Sequence, residues 1–400
     1  METVVLDWVN LVLRWTHFIV GIAWIGSSFF FIWLDLGLRK RDGLPEGVSG
    51  ELWLVHGGGF YQAQKYTVAP PRLPDELHWF KYEAYFTWIT GFLLLAVIYY
   101  WGAETYLIDT SVVALSPTAA VALSLGTLVA GWIVYDLLCK SPLGENVGVL
   151  AVLVFVLSVA AAYGFGEVFS ARAAFIHAGA LVGTIMVGNV FFIIIPNQKK
   201  VVAAMQAGET PDPALGKQAK QRSTHNNYLT LPVLLMMLSN HYPMLYGHEY
   251  AWVFFAGVMV IGGIVRDFFN NRNAGKTGKA LVWQFPVAAA LTVALLMFSA
   301  YRPDTQDLVK DEDTISGSEA FAVIQTRCAT CHSITPVDED FKQPPGGVMF
   351  DTPEQLRAQA SRVLAQVVLT DVMPLGNKTG MTDIERARLG RWIRGGMPEE

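Results

Sequence analysis

Long apolar stretches recur through the first three hundred residues, and they limit the fold more than anything else in the chain. A hydrocarbon layer offers a backbone no water to bond, so a segment crossing it closes its own hydrogen bonds, most simply as a helix of about 20 residues. Eight such spans can be drawn, at about 8–36, 83–101, 118–139, 146–165, 172–195, 227–245, 250–270 and 281–300. Length alone would suggest two or three soluble domains. Composition overrides it, with 52% hydrophobic residues against 16% charged among 400. Trp8, Tyr99, Tyr100, Trp101 and Tyr301 fall near span ends, where amphipathic rings suit a membrane interface. The N-terminus has no basic region and no small-residue cleavage site, so it reads as the first span and not as a removable leader.

Basic residues orient the spans. The first loop carries Arg39, Lys40, Arg41, Lys65, Arg72 and Lys81; the third carries Lys140. The fifth carries Lys199, Lys200, Lys217, Lys220 and Arg222, and the seventh Arg272, Lys276 and Lys279. The even loops are nearly bare, with Arg172 at the start of the fifth span as the exception. The positive-inside bias puts the odd loops in the cytoplasm and both termini outside. The excess negative charge lies beyond residue 300, where 16 acidic residues face 11 basic ones. Nothing indicates nucleic-acid binding.

The two halves of the membrane part resemble each other. Arg14, His17, Gly21 and Gly26 are followed by Phe29-Phe30-Phe31; Arg172, His177, Gly179 and Gly183 are followed by Phe191-Phe192. Asp136 closes the third span as Asp267 closes the seventh, and His78 and His225 each precede a span. Four spans per copy is an even number, so a tandem 4+4 repeat would be parallel, about an axis along the membrane normal.

Past a polar, acidic linker at 301–317 comes Cys328-Ala329-Thr330-Cys331-His332, the C-x-x-C-H pattern of covalent haem attachment. Two thiols add across the vinyl groups on one edge of a porphyrin, and the histidine then lies under the iron. A thioredoxin-like redox pair is the plainer reading of C-x-x-C, but no βαβ pattern surrounds it. A helix from Glu319 to Arg327 leads in, Met373-Pro374 follows in a polar loop, and a helix from Asp383 to Arg394 closes the chain, with Leu389, Trp392 and Ile393 set to pack on Phe321. A thioether makes Met373 the candidate second axial ligand, with Met349, Met381 and Met397 as rivals. This order resembles a class I cytochrome c domain at 318–400. Cys139, the third cysteine, reads as a small buried residue.

Histidines in spans usually face a bundle interior, and His17 and His177 are candidates for an intramembrane haem b. His56-Gly57-Gly58-Gly59-Phe60-Tyr61 in the first loop pairs a histidine and aromatics with glycines that admit a flat ligand; a flexible turn is the plainer account. Asp136, Asp267 and Arg266 read either as partners lining a polar cavity or as interfacial anchors. His241 and His248, with Met244, lie in an outward loop positioned to touch the cytochrome domain, although a solvated loop is the plainer account.

Taken together, Arg14-Trp15-Thr16-His17 with Trp24-Ile25-Gly26, the His56–Tyr61 loop, Leu77-His78-Trp79-Phe80-Lys81-Tyr82-Glu83, and Cys328–His332 with Met373-Pro374-Leu375-Gly376 resemble the bacterial membrane-bound urate oxidases (urate hydroxylases) with a C-terminal cytochrome c domain. The resemblance spans essentially the whole chain. It implies an all-α fold: an eight-helix transmembrane bundle over 1–300, a linker at 301–317 and a small class I cytochrome c domain at 318–400. It implies oxidation of urate to 5-hydroxyisourate in purine breakdown, with electrons passing through haem c to a respiratory acceptor such as a soluble cytochrome or a terminal oxidase. The location implied is a bacterial inner membrane, with the N-terminus and cytochrome domain periplasmic. His56 and Glu83 are the candidate catalytic bases, and either face is open for urate. Two other readings stand beside it: an electron-transfer subunit without its own substrate, and a transporter with an appended cytochrome.

Overall fold

The computed structural model describes residues 2–300 and 315–399. Most of the predicted linker, 301–314, and Tyr301 with it, lies outside the described residues. The N-terminal part is a bundle built from α1 (Glu2–Gly37), α2 (Tyr82–Leu95), α3 (Pro117–Lys140), α4 (Val147–Gly166), α5 (Ala171–Gly188), α6 (Ile195–Gln206), α7 (Pro213–Leu238), α8 (Pro243–Tyr246), α9 (Ala251–Asn273) and α10 (Gln284–Ala300). Caps mark several starts: the side chains of Ser116, Asn146, Ser170 and Asp212 accept from first-turn amides of α3, α4, α5 and α7. A π-turn at Asn189–Ile194 carries α5 into α6.

Among the described residues seven helices are long and apolar enough to cross a membrane. The predicted span at 227–245 is the one that differs. It falls on the second half of α7, which stops at Leu238 and gives way to a turn at Ser239–His241 and then α8. The cause is position. α7 packs between α5 and α9 and buries Arg222, Asn226, Asn227 and Thr230. A helix that faces protein needs no apolar coat.

Helix α5 is the hub, packing on α3, α4 and α7. In the continuous stretch Ala171–Gln206, 67% of the most apolar window is buried; in α1 none is. Leu181, Ile185, Tyr135, Phe169, Met236, Phe254 and Phe255 form the middle of the core. Close approach depends on small residues: a Cβ at Gly179 would lie 2.9 Å from Met236 Cβ. His17 and His177, which the sequence pattern sets at matching positions, therefore sit in unlike surroundings.

One element corrects the all-α expectation. The loop after α1 forms an antiparallel hairpin, β1 (Val48–His56) with β2 (Gly59–Tyr66), His56 opposite Gly59. Gly57 and Gly58 turn the chain at φ 57° and 80°, as a two-residue I′ hairpin turn demands. The flanking Leu52-Trp53-Leu54-Val55 and Phe60-Tyr61 have the strand chemistry that the glycines overshadow. Lys65 and Lys220 both pair with Asp35, and Arg39 bonds the Asn273 carbonyl (3.2 Å), which ties the hairpin to one end of the bundle.

The C-terminal unit is helical: α11 (Gly317–Arg327), α12 (Pro353–Ala358), α13 (Ala360–Val363) and α14 (Asp383–Arg394). Capping boxes start α11, α12 and α14. Leu389, Trp392 and Ile393 join Phe321, Ile324 and Leu356 in one core, the packing the sequence anticipates. The unit rests on the bundle end opposite the hairpin. Thr105 donates to Asp340, and Val372 reaches into the bundle core. Two glycines set the separation: a Cβ at Gly376 would lie 2.8 Å from the Ile108 carbonyl oxygen, and one at Gly247 2.5 Å from that of Thr370.

Candidate functional site

Where the two parts meet lies a cavity of about 470 Å³. Its C-terminal wall includes Cys328, Cys331, His332, Phe350, Val367, Met373 and Lys378; Thr105, Tyr106 and Arg172 close it from the bundle. The Cys328–His332 segment gets there because α11 ends at Arg327 and the chain coils on, with the His332 amide bonding back to the Cys328 carbonyl (2.9 Å). His332 Nδ1 donates to the Val348 carbonyl (3.0 Å), which fixes the ring and leaves Nε2 a free lone pair. Burial holds its pKa below the ordinary histidine value, against the pull of that carbonyl, so the ring is neutral as a metal ligand requires.

Neither of these cysteines is in a disulfide. Burial pushes the Cys328 thiol up to about 12 and raises Cys331 as well. A redox C-x-x-C pair needs the reverse, a depressed thiol. Met373 is the cavity-lining member of the four candidate methionines. Met381 is buried in the core of the unit, and Met397 packs at its edge. Cys328, Cys331, His332 and Met373 are thus the residues able to hold a porphyrin edge and its iron. Among the described residues no three His, Cys, Asp or Glu side chains converge as a metal-ion set.

The other predicted residues lie elsewhere. His56 is exposed beside the hairpin turn, and Glu83 occupies the first turn of α2; neither lines the cavity. His17 Nδ1 contacts the Thr87 carbonyl and Thr90 Oγ1 (both 3.0 Å). His177 is fully buried among Tyr99, Phe165 and Phe169, its Nδ1 bonded to the Ala173 carbonyl (2.7 Å) and its Nε2 without a partner. His225 bonds the Tyr135 hydroxyl (2.7 Å). The two membrane aspartates are not joined. Asp136 pairs with Arg222 (2.7 Å) and Lys140 (2.6 Å); Asp267 is bonded by Tyr228, Asn271 and Gln284. Arg266 stands 4.0 Å from the Phe29 ring centroid. The outward loop is not simply solvated, since His248 is buried and Gly247 abuts the C-terminal unit.

Three residues of the site escaped the sequence reading. Tyr106 carries no motif at all. Arg386, buried in the C-terminal unit, donates to the carbonyls of Met373 (2.6 Å) and Val367 (2.7 Å) and so pins the Met373 loop. Arg172 did leave a signal, as the basic residue out of place in an even loop.

The protein is mostly helical, with seven described helices long and apolar enough to cross a membrane and a cavity lined by two thiols and an imidazole. The family model described as Urate oxidase N-terminal matches residues 3–300, and the chain belongs to that family. Membership makes it a urate-related oxidoreductase. Searches of curated proteins and of solved structures return no match.

Proposed function

We propose that the protein is a membrane-bound oxidoreductase that converts urate to 5-hydroxyisourate and passes the electrons out through a haem c held by Cys328, Cys331, His332 and Met373. Urate and water give 5-hydroxyisourate, two protons and two electrons, so the reaction needs an acceptor but no oxygen. The observation carrying this reading is the joint one: the matched urate oxidase region ends at residue 300, and a C-x-x-C-H cavity docks directly onto it. The residues fit a covalently attached haem. The thiols are unpaired, the imidazole is neutral with one nitrogen free, and the cavity volume falls in the range of small-molecule and cofactor sites.

Bound there, a haem c supplies a one-electron acceptor whose Met/His ligation raises its potential. The protein side of the chemistry is positional. His332 is oriented by Val348, Met373 is held by Arg386, and Phe350 and Val367 help to keep the cavity apolar. The basic residues of the odd loops support a reading in which this end lies outside, in the bacterial periplasm, where a soluble cytochrome or terminal oxidase would collect electrons. A haem b between His17 and His177 remains part of the proposal only for electrons that start at the hairpin end.

The test is anaerobic addition of urate to the oxidised full-length protein. The c-type absorption bands should become reduced. Bands that stay oxidised with urate yet respond to dithionite would sink the urate assignment and favour an electron-transfer subunit. A pyridine haemochrome spectrum with c-type haem alone would remove haem b.

A further inference from the structure

Arg172 lines the cavity beside Cys331 and His332 but comes from the bundle, one residue into α5. Its Nε donates to Asn240 Oδ1 (3.2 Å), and its guanidinium stands 6.0 Å from the Tyr106 ring centroid. Among the described residues it has no carboxylate partner. Arg14, from α1, lies within electrostatic reach of it, with Nε bonded to Asn10 Oδ1 (2.5 Å) and likewise no acid. The Tyr99 hydroxyl donates to the same Asn240 oxygen (3.4 Å). On the facing unit, Asp338 and Asp340 are engaged by Lys378 (2.8 and 3.0 Å), and Asp340 also by Thr105. Among the described residues, then, two like charges lie within electrostatic reach of each other without a bonded carboxylate, an arrangement that an anion would relieve.

Resting on the functional reading above, we propose that Arg172 and Arg14, with Tyr106, form the binding site for the flat anionic purine substrate, at the edge of the cavity that holds Cys328–His332. The guanidinium fork suits adjacent carbonyl oxygens of a planar anion. The Tyr106 ring gives it a face to stack on, and the Gln366 amide, also lining the cavity, matches ring N–H and C=O groups. The site also solves a transport problem. Electrons released at the hairpin would face roughly 30 Å of bundle, whereas a purine at Arg172 lies against the acceptor's own cavity. No intramembrane relay is then needed.

A carboxylate of the prosthetic group could draw the same arginine, and the experiment separates the two. Urate binding is measured by equilibrium dialysis on full-length protein reduced beforehand with dithionite, so that no turnover occurs. Arg172→Gln should weaken binding at least tenfold, Arg172→Lys less, with the c-type bands and midpoint potential unchanged. Arg14→Gln, a change at an exposed side chain, should weaken binding several-fold and covers the case in which Arg172→Gln does not fold. Unchanged urate affinity in both glutamine variants overturns the site. A shifted potential with unchanged affinity overturns it too, and gives Arg172 to the prosthetic group. Wild-type protein that urate reduces, beside variants that bind it normally, discards this location while leaving the function standing; wild-type protein that neither binds nor is reduced by urate discards both.

Discussion

One buried guanidinium decides where Met373 sits. Arg386 holds the Met373 carbonyl and that of Val367, so the thioether is presented to the cavity by an anchor 13 residues away in sequence. Met373 and Met381 are thereby given different work, although both are methionines eight positions apart in one loop. Met373→Leu keeps the volume and removes the sulfur, and should lower the haem midpoint potential while leaving the fold intact; redox titration checks it. Met381→Leu should leave the potential alone and cost at most about 1.5 kcal/mol of stability, the usual range for a volume-conserving core change, read by denaturant unfolding. If the first variant kept its spectrum and potential, the axial role would pass to another methionine. The sequence could nominate these residues from chemistry, because two spaced thiols and a histidine carry their meaning locally. It could not rank the methionines, because Arg386 acts through backbone carbonyls that no spacing rule exposes.

At the scale of elements, helices were readable where the sequence is continuously apolar, and unreadable where a helix buries polar groups against its neighbours. Spans such as α4 and α10 announce themselves by continuous apolar sequence. α7 does not, since Arg222 pairs with Asp136 and Asn226 with Asn189 inside the bundle, and its polar face is its buried face. The hairpin was hidden for a different reason. Its three glycines read equally well as a ligand loop, and only the register of β1 on β2 shows that two of them serve the turn. Packing of α5 on α7 depends on Gly179. Gly179→Val should force the helices apart against Met236 and destabilise the bundle by roughly 1–3 kcal/mol, measured as the thermal midpoint in detergent. An unchanged midpoint would show that Met236 swings clear.

For the molecule as a whole, the contact between bundle and C-terminal unit is held partly by charge. Asp340 is kept below the usual carboxylate range by the Thr105 hydroxyl, against the cost of burial, and by Lys378. A depressed carboxyl stabilises the folded contact fully above its ordinary value near about 3.9 and loses that contribution as the pH falls through the folded value. Docking should thus loosen in acid and not in base. Hydrogen exchange at residues 103–108 should be faster in Asp340→Asn than in wild type at pH 7, with the difference shrinking as the pH falls below about 4; equal protection at pH 7 would show that the carboxylate contributes nothing.

The lengths of two helices have a consequence of their own. α1 has 36 residues, and so has the continuous stretch Ala171–Gln206, a rise of about 54 Å each. Hydrocarbon is only about 30 Å thick, and even a tilt of about 40° leaves roughly 41 Å along the normal. In a bilayer both helices must overhang, and their far ends are the ones that carry the hairpin, Arg39, Lys199 and Lys200. They raise a basic plinth about one to two helical turns above the acyl boundary, at the height where anionic headgroups meet water and at the opposite pole from the Cys328–His332 cavity.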